Sequence, residues 1–278
     1  MEVNASFHPS PFRLRPSNFG ASTLSEKGGI EIRECVTVEE FDQCVRLQRE
    51  GFGLPDLELS PRRHLIVARS AGGWTLGAFD AGRMVGFVLN QVAVRGGSEV
   101  IGYSHMMAVA RDYQNRGVGA SLKWAQRARS LAEGRRFILW TWDPAQSRNA
   151  HFNLNRLGVV VRSYAANYYG TDYSTVTGKF GERLGLDSDR LVAEWRLDSP
   201  RVEQLARGGA PEALGEPAAS VEIPSDWGSL VRGDAALARD ELRRIREEFR
   251  GALARGLVCA SFERPEGARP RYLFYSDE

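Results

Sequence analysis

Two hydrophobic periods alternate along this chain, one of about two residues and one of about 3.6, and the switches between them mark out strands and helices. Ile30 to Cys35 (I-E-I-R-E-C) alternates apolar and charged residues, the pattern of a half-buried strand. Thr37 and Glu40 stand at capping-box spacing and open a helix with Val38, Phe41, Val45 and Leu47 on its apolar side. Ser60-Pro61 opens a second helix through Ala68, with Pro61 suited to the first helical position. Trp74 to Phe79 and Met84 to Val94 are strands that meet at Asp80-Ala81-Gly82-Arg83, a hairpin. Ile101 to Val109 is the next strand. A helix after Gly117 places Val118, Leu122, Ala125, Ala128 and Leu131 on one stripe, and Gly134 ends it. Phe137 to Trp142 is a strand, Ser147 to Leu157 a short helix stopped by Gly158, Val159 to Tyr164 a strand, and Arg190 to Leu197 closes the series.

The flanks read differently. Residues 1–29 are rich in Ser, Pro, Gly and Asn, with Phe7, Phe12 and Phe19 among them and no sustained period, as in a loosely ordered arm. Residues 201–220 form a linker, the stretch from 206 being small, aperiodic and rich in Pro and Gly. Beyond it, Val221 to Ile223 reads as a strand. Asp234 then caps a helix with Leu242, Ile245, Phe249 and Leu253 on its stripe, ended by Gly256. Leu257 to Phe262 and Tyr272 to Tyr275 are two short strands. A segment of about 60 residues is small for a core of its own, so 221–278 is expected as an appendage docked on the main domain.

Bulk properties narrow the function classes. A net charge of +2 over 278 residues argues against a nucleic-acid protein that relies on a basic field. The run from Arg239 to Arg250 interleaves acids and bases, as on a solvated helical face. Cys35, Cys44 and Cys259 lack metal or redox spacing and fit a reducing compartment. His8, His64 and His151 are isolated, so no metal is expected. No apolar run approaches the ~20 residues of a membrane span, and there is no export-type leader, which leaves a cytoplasmic protein as the expectation.

The chemistry concentrates in V-A-R-D-Y-Q-N-R-G-V-G, Val109 to Gly119. A strand, a loop of small residues and a helix follow one another there. Free amides at the start of a helix form an anion site. The third glycine of a dinucleotide fingerprint is missing, since Leu122 holds that place, and no P-loop string occurs. The stretch closely resembles the acyl-CoA-binding motif of the GCN5-related N-acetyltransferase (GNAT) superfamily, V-x-x-x-x-Q/R-x-x-G-x-G/A. Val109, Gln114, Gly117 and Gly119 occupy its positions, and Arg111 stands where many members have proline. The element order over roughly 30–200 is the one this resemblance predicts. The expected fold class is therefore a mixed α/β GNAT-type acyltransferase fold with a small C-terminal α/β appendage.

The resemblance implies an acyl-CoA-dependent N-acyltransferase moving an acetyl or other short acyl group to a primary amine by direct attack. The acceptor is a small molecule, with an amino acid among the candidates, and the partners include no nucleic acid or membrane; a homodimer is compatible. It implies that the amides of Gln114, Asn115, Arg116, Gly117, Val118, Gly119 and Ala120 hold the pyrophosphate of acetyl-CoA or another acyl-CoA. It further implies that the main chain of Met107, Ala108 and Val109 pairs with the pantetheine arm where the family's fourth and fifth strands splay, and offers an amide to the developing oxyanion. Asn149 takes the place of a cofactor-contacting asparagine, although counting back from Gly158 puts Ser147 there, and a plain helix-end role is open for Asn149. The family's leaving-group tyrosine is replaced by Leu154, with Tyr164, Tyr168 and Tyr169 nearby in sequence as substitutes or as packing residues. His105, of one strand parity with Met107 and Val109, is the candidate base; a half-buried strand histidine is the plain alternative. Glu50 and Glu99 are further acceptors, Glu99 at a turn. Trp140 and Trp142 share one face, either buried or a cleft wall. A non-catalytic acyl-CoA-binding or sensing module is the competing class, and acyl-CoA hydrolysis a third.

Overall fold

The computed structural model describes residues 25–27, 29–52, 56–173, 183–210 and 213–277. The arm with Phe7, Phe12 and Phe19, and His8, lies outside them.

The main sheet has eight strands, β1 (Ser25–Lys27), β2 (Ile30–Glu34), β3 (Trp74–Asp80), β4 (Arg83–Arg95), β5 (Glu99–Val109), β6 (Phe137–Trp142), β7 (Tyr164–Ala165) and β8 (Arg190–Arg196), in the order β1-β2-β3-β4-β5-β6-β8-β7. Neighbours are antiparallel except β5 and β6, which are parallel. Helices α1 (Val38–Phe52) and α2 (Arg62–Ser70) cover one face, where Phe41, Cys44, Leu47 and Leu65 pack on Phe87, Leu89 and Ala108. Helix α3 (Val118–Ala132) covers the other, with Val118, Leu122 and Ala125 on Leu76, Val85 and Val88.

Local chemistry accounts for these elements. Thr37 Oγ1 accepts from the Glu40 amide at 3.2 Å, and the Glu40 carboxylate accepts from the Thr37 and Val36 amides at 3.0 and 2.7 Å, so the capping box closes in both directions. The β3–β4 turn puts Ala81 and Gly82 at positive φ, the turn sense that matches strand twist. Pro61 sits one place earlier than expected, as the residue flanking α2.

The third core joins β6 and β8 to the C-terminal region. There α5 (Pro200–Ala206), α6 (Trp227–Gly233) and α7 (Ala235–Ala254) accompany a second sheet of β9 (Ala219–Glu222), β10 (Leu257–Glu263) and β11 (Arg271–Ser276), ordered β10-β11-β9. Ile138, Trp140, Trp142, Leu191 and Trp195 pack in one cluster with Ile245, Phe249, Phe262, Tyr272 and Phe274. Trp140 and Trp142 are thus buried side by side.

Three expectations change. Residues 201–206 of the expected linker belong to α5, because Ser199 accepts from the Val202 amide at 3.4 Å, Pro200 starts the turn and Val202 is fully buried. Val159 to Tyr164 is not a continuous strand. Val160 bridges to Glu194 in the main sheet and Val161 to Cys259 in the second, so the segment staples two sheets, and only its last residue, Tyr164, joins a strand, β7 of the main sheet. Ala128 of α3 is exposed, whereas Lys123, Gln126, Arg129 and Ser130 are buried. The helix meets the sheet as far across as β8, where Trp124 lies 5.6 Å from Trp195, so its buried arc is broader than one apolar stripe.

Among the described residues, no helix is long and apolar enough to cross a membrane, and no group of three His, Cys, Asp or Glu side chains is placed to hold a metal ion.

Candidate active site

Strands β5 and β6 pair only at Gly102 with Ile138 and at Tyr103 with Leu139, then part. A side chain at Gly102 would meet Asn90 Oδ1 at 2.8 Å and Ile138 Cγ1 at 3.1 Å, so glycine lets the strands close at this point. The V above it opens toward Val109 and the start of α3.

The loop at the mouth of the V is held from several sides. The Ala110 amide donates to Val85 O at 2.9 Å. Glu50 accepts from the Arg111 amide at 2.7 Å, and so serves as a loop anchor from α1. Gln114 donates through Nε2 to Val109 O at 3.1 Å and accepts from Arg148 at 3.4 Å. Asn115 (φ 62) and Gly117 (φ 86) are left-handed, which curls the loop back onto the helix. Gly117 is the residue before α3, and no side chain caps that end, so the first amides of the helix stay open. A Cβ on Gly119 would lie 3.5 Å from Met107 Cε and 3.8 Å from Val109 Cγ2, which places Gly119 over the end of β5. Exposed Arg116, 5.2 Å from the Tyr113 ring centroid, adds positive charge at this mouth. Asn149 is exposed on the short helix α4 (Ser147–His151), while Ser147 is held by Arg264 through Oγ at 3.0 Å and O at 2.8 Å. Leu154 is fully buried in the π-type turn Phe152–Arg156 that continues α4.

The opposite face of the V carries a different chemistry. The β4–β5 register shifts so that Asn90 faces Ser104 and Leu89 faces Met106, leaving His105 unpaired in a bulge. Strand parity therefore breaks at His105: Met107 and Val109 join the α3 core, and His105 joins the α1–α2 side. There its ring stacks on His64 of α2, with centroids 5.4 Å apart and planes 23° apart, and Nε2 lies 3.5 Å from Ser60 Oγ. The Gln91 amide donates to His64 Nε2 at 2.6 Å. Gln48 clamps Ser60, accepting from its amide at 2.9 Å and donating to its carbonyl at 3.1 Å. Protein crowding around the ring, and then the charge of His64, lower the His105 pKa from its ordinary value, although one edge of the ring stays open to solvent.

Tyrosines wall the same face. Tyr103, the last residue of β5 paired with β6, has its phenol pushed upward by burial and then by Tyr168. Tyr168, Tyr169 and Tyr173 form a ring cluster with centroids 4.8 and 4.7 Å apart, and the Arg190 guanidinium lies 5.0 Å from the Tyr169 ring. The loop carrying them is fastened to the C-terminal helix. Arg246 of α7 donates to Asp189 at 2.8 and 2.7 Å and to Asp187 at 2.6 Å, and Asp189 also accepts from the Asn167 amide at 2.9 Å. Tyr164 is committed to Asp189 and to Phe249, and Glu99 pairs with Arg95 at the hairpin end, so neither faces the V.

Between β5, β6 and α3 lies a polar network that the apolar stripe conceals. Lys123 Nζ donates to Ser104 Oγ at 2.8 Å and to Gln126 Oε1 at 3.1 Å, and Gln126 donates to Asn90 Oδ1 at 3.1 Å. The signal available in the sequence was the lysine itself, next to Leu122 in an otherwise core-facing turn.

Residues 40–158, from the capping box to the turn after α4, match the profile of the acetyltransferase (GNAT) family. This segment is a GNAT domain. It contains the V, the Gln114–Gly119 loop and the His105 bulge, and its class of enzyme is the acyl-CoA-dependent N-acetyltransferase. Solved structures similar to the chain include the ribosomal-protein-S18-alanine N-acetyltransferase from Escherichia coli, at 14% identity over 61% of this chain and 95% of that one, with a TM-score of 0.48. An acetyltransferase of the GNAT family from Streptococcus pneumoniae is 19% identical over 59% of this chain and 97% of its own, with a TM-score of 0.45. No curated protein matches the chain.

Proposed function

We propose that this GNAT protein moves an acetyl group from acetyl-CoA to the primary amine of a small molecule by direct attack. The observation that carries the reading is the splay of β5 from β6 beside an uncapped α3, with Gly117 and Gly119 at the junction. The residues fit the group. Open amides of Val118, Gly119 and Ala120, with those of Asn115 to Gly117 in the curled loop, stand at the mouth where a pyrophosphate would be held, and Arg116 adds positive charge; the Gln114 amide, also expected there, is instead taken by Arg111 O at 3.3 Å. The unpaired edge of β5 from Met107 to Val109 offers main-chain groups to a pantetheine arm. Acetyl-CoA supplies the activated acyl carbon as a thioester.

The chain's own residues then have separable tasks. His105, kept unprotonated by crowding and by His64, takes a proton from the acceptor ammonium, directly or through water. An amide of the β5 edge donates to the oxyanion. Leu154 donates no proton, and none is required, because a thiol with a pKa of ~8.5 leaves readily as thiolate. Tyr103, Tyr168, Tyr169 and Tyr173 wall the acceptor side. An amino acid suits this wall, since Arg190 offers a guanidinium to a carboxylate beside the rings. The cysteines are free and buried, which accords with a reducing, cytoplasmic setting.

Calorimetric titration with acetyl-CoA tests the reading, followed by thiol release with amino acids and with their decarboxylated amines. Saturable binding and faster release with the amino acids are expected. Absence of acetyl-CoA binding refutes the function, and equal release with both sets refutes the role of Arg190.

A further inference from the structure

Lysine is scarce in this chain: Lys27, Lys123 and Lys179 stand against 34 arginines. Lys123 is only 3% exposed, in the turn of α3 that faces the sheet. Its amine meets Ser104 Oγ, Gln126 Oε1 and the Trp140 ring, whose centroid is 3.7 Å away, and no carboxylate is among these contacts. An ammonium buried without a counter-ion is costly, and desolvation draws this one down to about 7. Near neutral pH a substantial fraction is therefore free amine, a nucleophile. Arginine, the chain's usual cation, stays protonated and has no such state.

The location adds the second half of the argument. Ser104 follows Tyr103 and Trp140 follows Leu139, the last pair before β5 and β6 part. The amine thus spans the two strands at the closed end of the V, on the α3 side, below Met107 and Gly119.

We propose that Lys123 is a self-acylation site, taking the acyl group from acyl-CoA bound in the V. The proposal rests on the acyl-CoA reading of that cleft. The Nζ lone pair attacks the thioester carbonyl carbon, a C–N bond forms, and the C–S bond breaks. The thiolate leaves with the bonding electrons and takes up the proton that nitrogen releases, giving free thiol and an amide. The amide is neutral and retains one N–H for Ser104 or Gln126. Acylation removes a buried charge that has no carboxylate among its contacts.

The test incubates the full chain with acetyl-CoA and no amine acceptor, then records the intact mass and maps the modified peptide. The expected result is one acetyl group per chain, on Lys123, absent from Lys123→Arg and from Gly119→Glu. Because the wild-type peptide map locates the group, the result does not depend on how the variants fold. Calorimetry on the same preparation separates the two ideas. Acetyl-CoA binding with Lys123 unmodified, or with acetyl only on Lys27, Lys179 or the N-terminus, overturns self-acylation and leaves the cleft reading standing. Equal labelling of Lys123 in Gly119→Glu overturns delivery from the cleft. No binding and no label overturn both.

Discussion

Replacing Lys123 with methionine should make the protein more stable, by an amount that depends on pH in a calculable way. In the unfolded chain the amine titrates near ~10.4, and in the fold burial lowers it to about 7. Between these values the unfolded state binds one more proton than the folded state, so wild-type stability climbs with pH across that window and is flat below it. The slope is about 1.4 kcal/mol per pH unit, which amounts to ~2 kcal/mol between pH 7 and pH 9 once partial protonation at pH 7 is allowed for. Lys123→Met has no such group at the site. It loses two hydrogen bonds worth about 1 kcal/mol each, but Ser104 and Gln126, 3.3 Å apart, keep each other as partners. Urea unfolding of both proteins at half-unit steps from pH 6 to pH 9.5 gives the difference directly, and cysteines and tyrosines titrating in the same range are common to both and cancel. The variant's advantage should be greatest at or below pH 7 and shrink by ~2 kcal/mol by pH 9. Parallel curves would show that Lys123 keeps its ordinary affinity for protons and would refute the account of its burial.

Further predictions address the two sides of the V. Gly119→Glu puts a carboxylate where the open α3 amides point, and acetyl-CoA affinity measured by calorimetry should fall about 100-fold, the worth of one or two charge-assisted hydrogen bonds; an unchanged Kd removes the loop from the site. His105→Ala should slow turnover at neutral pH by at least ~100-fold. His64→Gln removes a nearby charge that lowers the His105 pKa, so that pKa should rise and the acid limb of kcat/KM should move to higher pH; an unmoved limb uncouples the two rings. Arg246→Lys loses the forked grip on Asp187 and Asp189, and should raise the acceptor KM while acetyl-CoA affinity stays put, whereas equal changes in both would assign Arg246 a general structural role.

What the sequence made legible was local. The Thr37–Glu40 box, the turn at Ala81-Gly82 and the glycine loop before α3 each depend on residues within one or two turns of chain, and the structure forms all three. The position of His105 was hidden because its bulge arises from the register between β4 and β5, which no single strand encodes. Lys123 lies off the apolar stripe of α3, because that helix is buried over a wider arc than one stripe. Val160 and Val161 look like ordinary strand residues, yet each bonds to a different sheet. The tyrosine wall depends on Asp189 and Arg246, 57 residues apart, a pairing that only the folded chain reveals.

The union of Trp140, Trp195, Phe249 and Tyr272 in one cluster has a consequence for how this chain came to be and how it can be cut. A shortened version ending near residue 158 would retain the whole GNAT segment but leave one flank of β6 facing water, with Trp140 and Trp142 on it. The minimal cooperative unit is therefore larger than the segment that defines the family. Urea should melt both sheets in a single transition, and a protease nick in the stretch before β9 should leave two fragments that remain associated. The C-terminal region is a keystone whose removal would solubilise nothing.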